Sequence, residues 1–332
     1  MSRELHLERT EPGDAWDAFV HVSDAGSVFA LSEYLRYVDA RIALYRCLNK
    51  GEWRAAVMLV EDDNGGTASH DFIIYNGLMF APAAHRQNRV QRLSEQHDIA
   101  KFVAAELAGR YTNVVMSLNP AIADIRAFLW FNYGQDAPQY GPLIRYTSYV
   151  SLHGFASATS PEQVPLFAEF AAARRQEVRY AIRSGVQTRI EFDAKVFIEF
   201  YASTMQRQGI AVEAHVLDGM HRLLEGTHRA GLGRMYIART AEGRAGSMAY
   251  MAVDGRRAYY VFGASDPEIR AQHTGTAVLW DAFRMLAVEG VHEVDLEGVN
   301  SPRRGWFKLS FGGSLLPYYE LHLDRHTPAS AP

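Results

Sequence analysis

The residues of this chain best suited to chemistry lie close together near its end. The run Asp295-Leu-Glu297-Gly-Val-Asn300-Ser-Pro-Arg303-Arg304 sets two carboxylates on alternate positions of a short strand, and Gly298 to Pro302 then break that strand. A carboxylate partly withdrawn from water has a raised pKa and can take a proton from an attacking amine. Lys308, directly after Phe307, adds a cation to the segment; taken alone it reads equally as a surface lysine on a short helix. Asn300, which can both donate and accept a hydrogen bond, joins Glu297 and Lys308 as a catalytic candidate. A structural alternative stands beside this one: Asp295 and Glu297 can pair with Arg303, Arg304 or Lys308 in an ion network.

Upstream, Gln272-His273-Thr274-Gly275-Thr276-Ala277 follows a strand and opens a helix. Free N–H groups and the positive end of the helix dipole can hold a diphosphate there; equally, Thr274 or Thr276 can act as a simple N-cap. Arg175, Arg179 and Arg183 recur at helical spacing with Tyr180 alongside. Such a face suits phosphate, and it is also what a solvated helix surface carries. In the aromatic stripe Tyr259, Tyr260, Phe262, one ring is free to line a cleft, and Tyr260 is the candidate. Asp295 and Arg303 complete the acceptor-binding candidates.

These residues need elements to position them. Ala245–Val253 and Arg257–Gly263 alternate on either side of Asp254-Gly255, a strong hairpin signal. From Thr276 to Glu289 the apolar residues Val278, Leu279, Ala282, Phe283 and Leu286 mark one face of a helix, and Glu293–Glu297 reads as the next strand. The first half repeats the order. Trp53–Val60 and His70–Phe80 are strands joined by the Asn64-Gly65-Gly66 turn, Leu93–Leu107 is a helix, and Asn113-Val-Val-Met-Ser-Leu-Asn-Pro resumes strand character. A duplicated α/β unit accounts for both halves. The joint is expected at Ser157–Pro161, giving domains 1–156 and 157–326, with 327–332 a disordered tail.

Composition narrows the classes. A chain of 332 residues, 48% hydrophobic and 22% charged, is an ordinary globular protein long enough for two cores. Its net charge of −4 gives no general attraction to nucleic acid. Cys47 is the only cysteine, which rules out an intramolecular disulfide and a thiolate metal cluster; within Ile42–Leu48 it reads as a buried strand residue. The histidines make no His-Glu-x-x-His, so no metal is expected. There is no Gly-x-Ser-x-Gly elbow, and Gly231-Leu-Gly233 is only a fragment of a dinucleotide fingerprint. With no apolar signal-type core and no run of ~18–20 apolar residues, the protein is expected to be cytoplasmic.

In wording and order, Asp295–Tyr319, Gln272–Ala282 and Tyr259–Asp266 resemble the C-terminal signature of the FemAB-like transferases, double-domain members of the GCN5-related N-acetyltransferase (GNAT) superfamily. The resemblance spans about Gly243 to Leu323. It implies an α/β fold of two tandem GNAT-like domains, each a mixed twisted sheet flanked by helices, with the cleft in the second. It implies that Gln272-x-x-Gly275-x-Ala277 holds the diphosphate of an acyl-CoA co-substrate, and that Lys308 of the Phe-Lys pair stabilises the acyl-transfer transition state. The activity expected by resemblance is N-acyl transfer from acyl-CoA to an amino sugar, nucleotide-linked, in surface-polysaccharide assembly. Two alternatives accompany it: an aminoacyl-tRNA-dependent transferase acting on a peptidoglycan precursor, and a non-catalytic binding module.

Overall fold

The computed structural model describes residues 4–325, apart from residue 208 and the side chain of Arg303. The expected tail, 327–332, lies outside the described residues. The chain divides into two compact units: one holds the described residues up to Arg145 together with those from Pro317 onward, the other Tyr146–Leu316. The cuts fall inside strands, away from the small polar stretch Ser157–Pro161. The end of the chain returns to the first unit because its last strand pairs there.

In that first unit, β1 (Leu5–Thr10), β2 (Arg41–Asn49), β3 (Glu52–Glu61) and β4 (Gly77–Phe80) form an antiparallel sheet in that order. Helices α1 (Asp14–Val22) and α3 (Arg89–Arg110) and the single turns α2 (Ser32–Leu35) and α4 (Arg126–Leu129) accompany it. A separate strand, β5 (Asn113–Ser117), pairs antiparallel with Glu320–Asp324. The hairpin expected through Asn64-Gly65-Gly66 is shorter than read: only Gly77–Phe80 of His70–Phe80 is strand. Cys47 is fully buried on β2, and burial pushes its thiol up to about 12.

The second unit holds the signature. Its strands are β6 (Gly141–Ser151, which crosses the cut), β7 (Gln187–Ile190), β8 (Gly233–Arg239), β9 (Ala245–Val253), β10 (Arg257–Ser265) and β11 (Glu293–Asp295). They lie in the order β6-β11-β10-β9-β8-β7, and β12 (Ser314–Asp324) carries the chain out. Every neighbouring pair is antiparallel except β10 and β11, which are parallel. Parallel neighbours need a crossover, and α8 (Thr274–Val288) supplies it. Helices α5 (Ala172–Arg183), α6 (Ala194–Arg207), α7 (Ala214–Arg229) and α9 (Pro302–Leu309) complete the unit.

The α8 face read from the sequence is the one that is buried: Val278, Leu279, Ala282, Phe283 and Leu286 all sit in the core. Trp280 adds a second contact face, packing on Phe155, Phe167 and Phe170 at ring separations of 5.1, 5.4 and 5.9 Å. Phe311 meets both Phe170 (5.4 Å) and Phe283 (5.7 Å), and Phe307 of α9 meets Phe311 (5.5 Å). This aromatic chain ties α9, and with it Lys308, to α8. Trp280→Ala should therefore cost about 3–5 kcal/mol of stability, the range for emptying a large aromatic site. Chemical denaturation checks it, and a loss below about 1 kcal/mol would mean that the site collapses without cost.

Candidate active site

The cleft of the second unit begins where two strands separate. β10 and β11 pair only from Arg257–Glu293 to Tyr259–Asp295. Past Tyr259, β10 runs on to Ser265 with a register shift between Tyr260 and Phe262 against β9, while β11 ends. The edge so exposed, the start of α8, α5 and α9 enclose a cleft of about 890 Å³, a size that suits a small-molecule ligand.

One end of the cleft is the start of α8. His273 adopts a left-handed backbone (φ 57°) and turns the preceding 3-10 stretch, Pro267–Gln272, into the helix. The amides of Thr276 and Ala277 both reach the His273 carbonyl at 3.0 Å. Those of Thr274 and Gly275 stand at the helix's open end, and no side chain caps it. The threonine N-cap alternative therefore does not describe this helix. Thr274 shares a hydrogen bond with Ser247 (2.9 Å), and the Thr276 hydroxyl meets Arg174 and Glu177. A Cβ at Gly275 would come no closer than 3.6 Å to the Ser247 hydroxyl. Gln272 closes the 3-10 turn and is not part of the cleft wall.

At the other end, Lys308 projects from α9. Its Nζ donates to the Glu297 carbonyl oxygen at 3.0 Å and lies 5.2 Å from the centre of the Tyr260 ring. Burial pushes the Lys308 ammonium down to about 8, against the opposing pull of Glu297 and Asp295. The Glu297 side chain is 3% exposed, and its Oε1 has no hydrogen-bond partner. Burial, reinforced by Asp295, holds its carboxyl well above the usual carboxylate range. Glu297 does not line the cleft, so an incoming amine would reach its carboxyl only after the site is rearranged.

The other sequence candidates lie elsewhere. Both polar atoms of the Asn300 amide bind the Tyr146 backbone, Oδ1 accepting from N (2.7 Å) and Nδ2 donating to O (3.1 Å), so this side chain extends the β6 ladder. Asp295 is fully buried; its Oδ1 accepts from the Glu297 amide and the Thr147 hydroxyl, which places it beneath the site and away from any acceptor. Arg175 donates to the carbonyls of Ala168 (2.8 Å) and Phe170 (2.6 Å), and Arg179 pairs with Glu162 (2.9 Å). Neither lines the cleft. Tyr180 stacks on His273 at 5.7 Å just outside it. Tyr260 does line it. The side chain of Arg303 lies outside the described residues.

Arg174 and Glu177 line the cleft and were missed. The Arg174 guanidinium bonds Glu177, Thr276 and Ser310 while lying 4.4 Å from the Phe307 ring and 5.0 Å from the Phe311 ring. Its signal was present in the sequence. Arg174, Val178 and Ala181 fall at i, i+4 and i+7, and the last two are buried. An arginine on the apolar stripe of a helix has to find partners inside the protein.

Comparison with known proteins bears on the domain that holds this cleft. The family model described as Acetyltransferase (GNAT) domain matches residues 172–303. The chain carries a GNAT acetyltransferase domain in its second unit. Its fold is FemAB-like. A crystal structure of FemX is 14% identical, covers 94% of this chain and 96% of its own, and superposes with a TM-score of 0.61. A tandem GNAT protein from the clavulanic acid biosynthesis pathway is 12% identical, with 98% and 100% covered and a TM-score of 0.54. L-PGS from Bacillus licheniformis is 11% identical, with 96% and 93% covered and a TM-score of 0.54. No curated protein matches in sequence.

Within the GNAT domain, no group of His, Cys, Asp or Glu among the described residues is placed to hold a metal ion. No helix among the described residues is long and apolar enough to cross a membrane. The lysine is the group whose state can be tested directly. The resemblance makes Lys308 a cation acting on the transition state; a lysine in that role is charged below its folded pKa, so kcat should fall as pH rises through about 8. Lys308→Met, which deletes the charge, should lower kcat on the order of 10²-fold while leaving substrate affinity near wild type. Steady-state kinetics across pH check both; an unchanged kcat would make the lysine structural.

Proposed function

We propose that this acyltransferase moves an acyl group from acyl-CoA to the primary amine of an amino sugar. The observation that carries the reading is the cleft itself, which has an open helix terminus at one end and the Lys308 cation at the other. The amides of Thr274 and Gly275 are suited to a diphosphate. The β10 edge beyond Tyr259 presents backbone groups that must find partners, and the amide-rich arm of coenzyme A can provide them. Arg207 and Arg270 add positive charge to the wall. Glu177 adds negative charge near the phosphate end, but Arg174 pairs with it.

Bound there, the co-substrate supplies an activated thioester carbonyl. The protein's part is to orient that carbonyl and to place the Lys308 ammonium where the oxygen gains charge. The acceptor amine attacks in its neutral form, the new C–N bond replaces the C–S bond, and the thiolate leaves. The amine's surplus proton must be taken up. Glu297 does not line the cleft, so solvent or the departing thiolate is the more direct acceptor.

The nucleotide on the acceptor loses its support from Arg175 and Arg179, whose guanidinium groups are engaged on the protein itself. The sugar therefore rests on the resemblance seen in the sequence. A second reading takes an aminoacyl-tRNA as donor, and similarity of fold to FemX favours keeping it in view.

Calorimetry with coenzyme A distinguishes the two donors. The wild-type protein should bind it, and Gly275→Glu should weaken binding at least tenfold, about 1.4 kcal/mol, with an unchanged circular dichroism spectrum. Retained binding in the folded variant would overturn the donor loop. A wild type that ignores coenzyme A but consumes aminoacyl-tRNA would establish the second reading. Mass spectrometry of acyl-CoA donors against free and nucleotide-linked amino sugars then identifies the acceptor.

A further inference from the structure

The chain leaves β11 by an unusual route. Leu296 still donates to the Ser148 carbonyl of β6 (2.9 Å), and Val299 reaches the Tyr146 carbonyl (3.3 Å). Between them, Glu297 (φ 50°) and Gly298 (φ 37°) bulge out in successive left-handed conformations. For a glutamate this backbone is strained, and the surroundings must hold it. The hold is Asp295: its Oδ1 accepts the Glu297 amide at 2.8 Å and the Thr147 hydroxyl from β6. With its amide held by Asp295, the left-handed backbone of Glu297 directs the following carbonyl oxygen at Lys308 Nζ.

A second feature fixes the approach of α9. A Cβ at Gly305 would lie 2.5 Å from the Val299 carbonyl oxygen, so the helix rests directly on the bulged segment. The lysine is thereby registered against the bulge twice, by its own hydrogen bond and by its helix.

We propose that Asp295 is a positioning residue: through the left-handed turn at Glu297 it sets the place of the Lys308 ammonium in the cleft, with Thr147 fixing the Asp295 carboxylate. Asp295 touches no substrate in this role. The inference rests on the reading of Lys308 given under the proposed function. The charged groups around the lysine are Glu297, Asp295 and Arg304, and Tyr260 lies beneath it.

The test uses Asp295→Ala, Asp295→Asn and Thr147→Val in the full chain, with two readouts. Amide hydrogen exchange at Glu297 reports the turn, and steady-state kinetics with the identified acyl donor report the lysine. Asp295→Ala should speed exchange at Glu297 and lower kcat on the order of 10²-fold, with the donor KM nearly unchanged. Asp295→Asn keeps an oxygen acceptor and should restore both the protection and most of kcat. Thr147→Val, which removes only the hydroxyl, should fall between and serves if Asp295→Ala does not fold. Added to Lys308→Met, Asp295→Ala should lower kcat no further.

An Asn variant as impaired as Ala would show that the charge matters and not the turn, and would overturn the proposal. So would faster exchange at Glu297 with wild-type kcat in a background where Lys308→Met is impaired. If Lys308→Met itself keeps full kcat, the reading of the lysine has failed. The hold on the turn is then overturned separately by exchange at Glu297 that does not respond to Asp295→Ala.

Discussion

Two parallel strands that stop pairing part-way along their length are the constraint on which the second unit is built. Parallel neighbours are held by evenly spaced hydrogen bonds, and ending them early exposes donors and acceptors on a central strand. Here the pairing ends at Tyr259 and Asp295. A gap in the middle of a sheet is tolerable only if the elements on either side are fixed independently. β10 is fixed by its antiparallel partner β9, and β11 by β6. Helix α8, which must connect them, is fixed by the aromatic cluster around Trp280. The gap then has rigid walls, and a ligand with its own amide groups can complete the interrupted ladder.

The groups beneath the gap show what such an opening costs. Asp295 and Glu297 are both buried, and burying carboxyl groups is unfavourable unless hydrogen bonds or protonation compensate. The two are compensated differently. Asp295 has an amide and a hydroxyl donated to it. Glu297 has its Oε1 unpartnered, and burial beside Asp295 raises its carboxyl above the usual range. What this position presents to Lys308 is a backbone carbonyl, which any residue there would carry, while the glutamate's own carboxyl stays out of the cleft.

Much of this was legible in the sequence, where pattern and packing agreed. The β9–β10 hairpin and the buried face of α8 follow from alternation and helical spacing, and both are as read, β9 to the residue. Some boundaries moved for local reasons. Helix α3 starts at Arg89, ahead of Leu93, because Asn88 and Gln91 form a capping box there. The strand read as Glu293–Glu297 ends at Asp295 because the next residues bulge, and no periodicity encodes a left-handed glutamate. Asn300 was read for its chemistry, whereas its amide substitutes for a strand partner of Tyr146. The arginines of α5 were chosen for regular spacing, which picks out a surface face. The informative arginine broke the pattern: Arg174 shares the stripe of Val178 and Ala181.

Arg174 links the start of α8 to the segment that carries Lys308. Its guanidinium bonds Thr276 in the first turn of α8 and Ser310 just after α9, and it lies against the rings of Phe307 and Phe311. Replacing a buried polar cluster by well-packed apolar side chains is often neutral or stabilising. Stability alone therefore gives no reason for a guanidinium here. Phe307 against Phe311 is a contact within one segment and does not by itself locate α9 on α8. The hydrogen bonds from Arg174 to Thr276 and Ser310 span the two, and they weaken steeply with distance and angle. The arginine thereby fixes the distance from the open end of α8 to the helix that carries Lys308, and both line the same cleft.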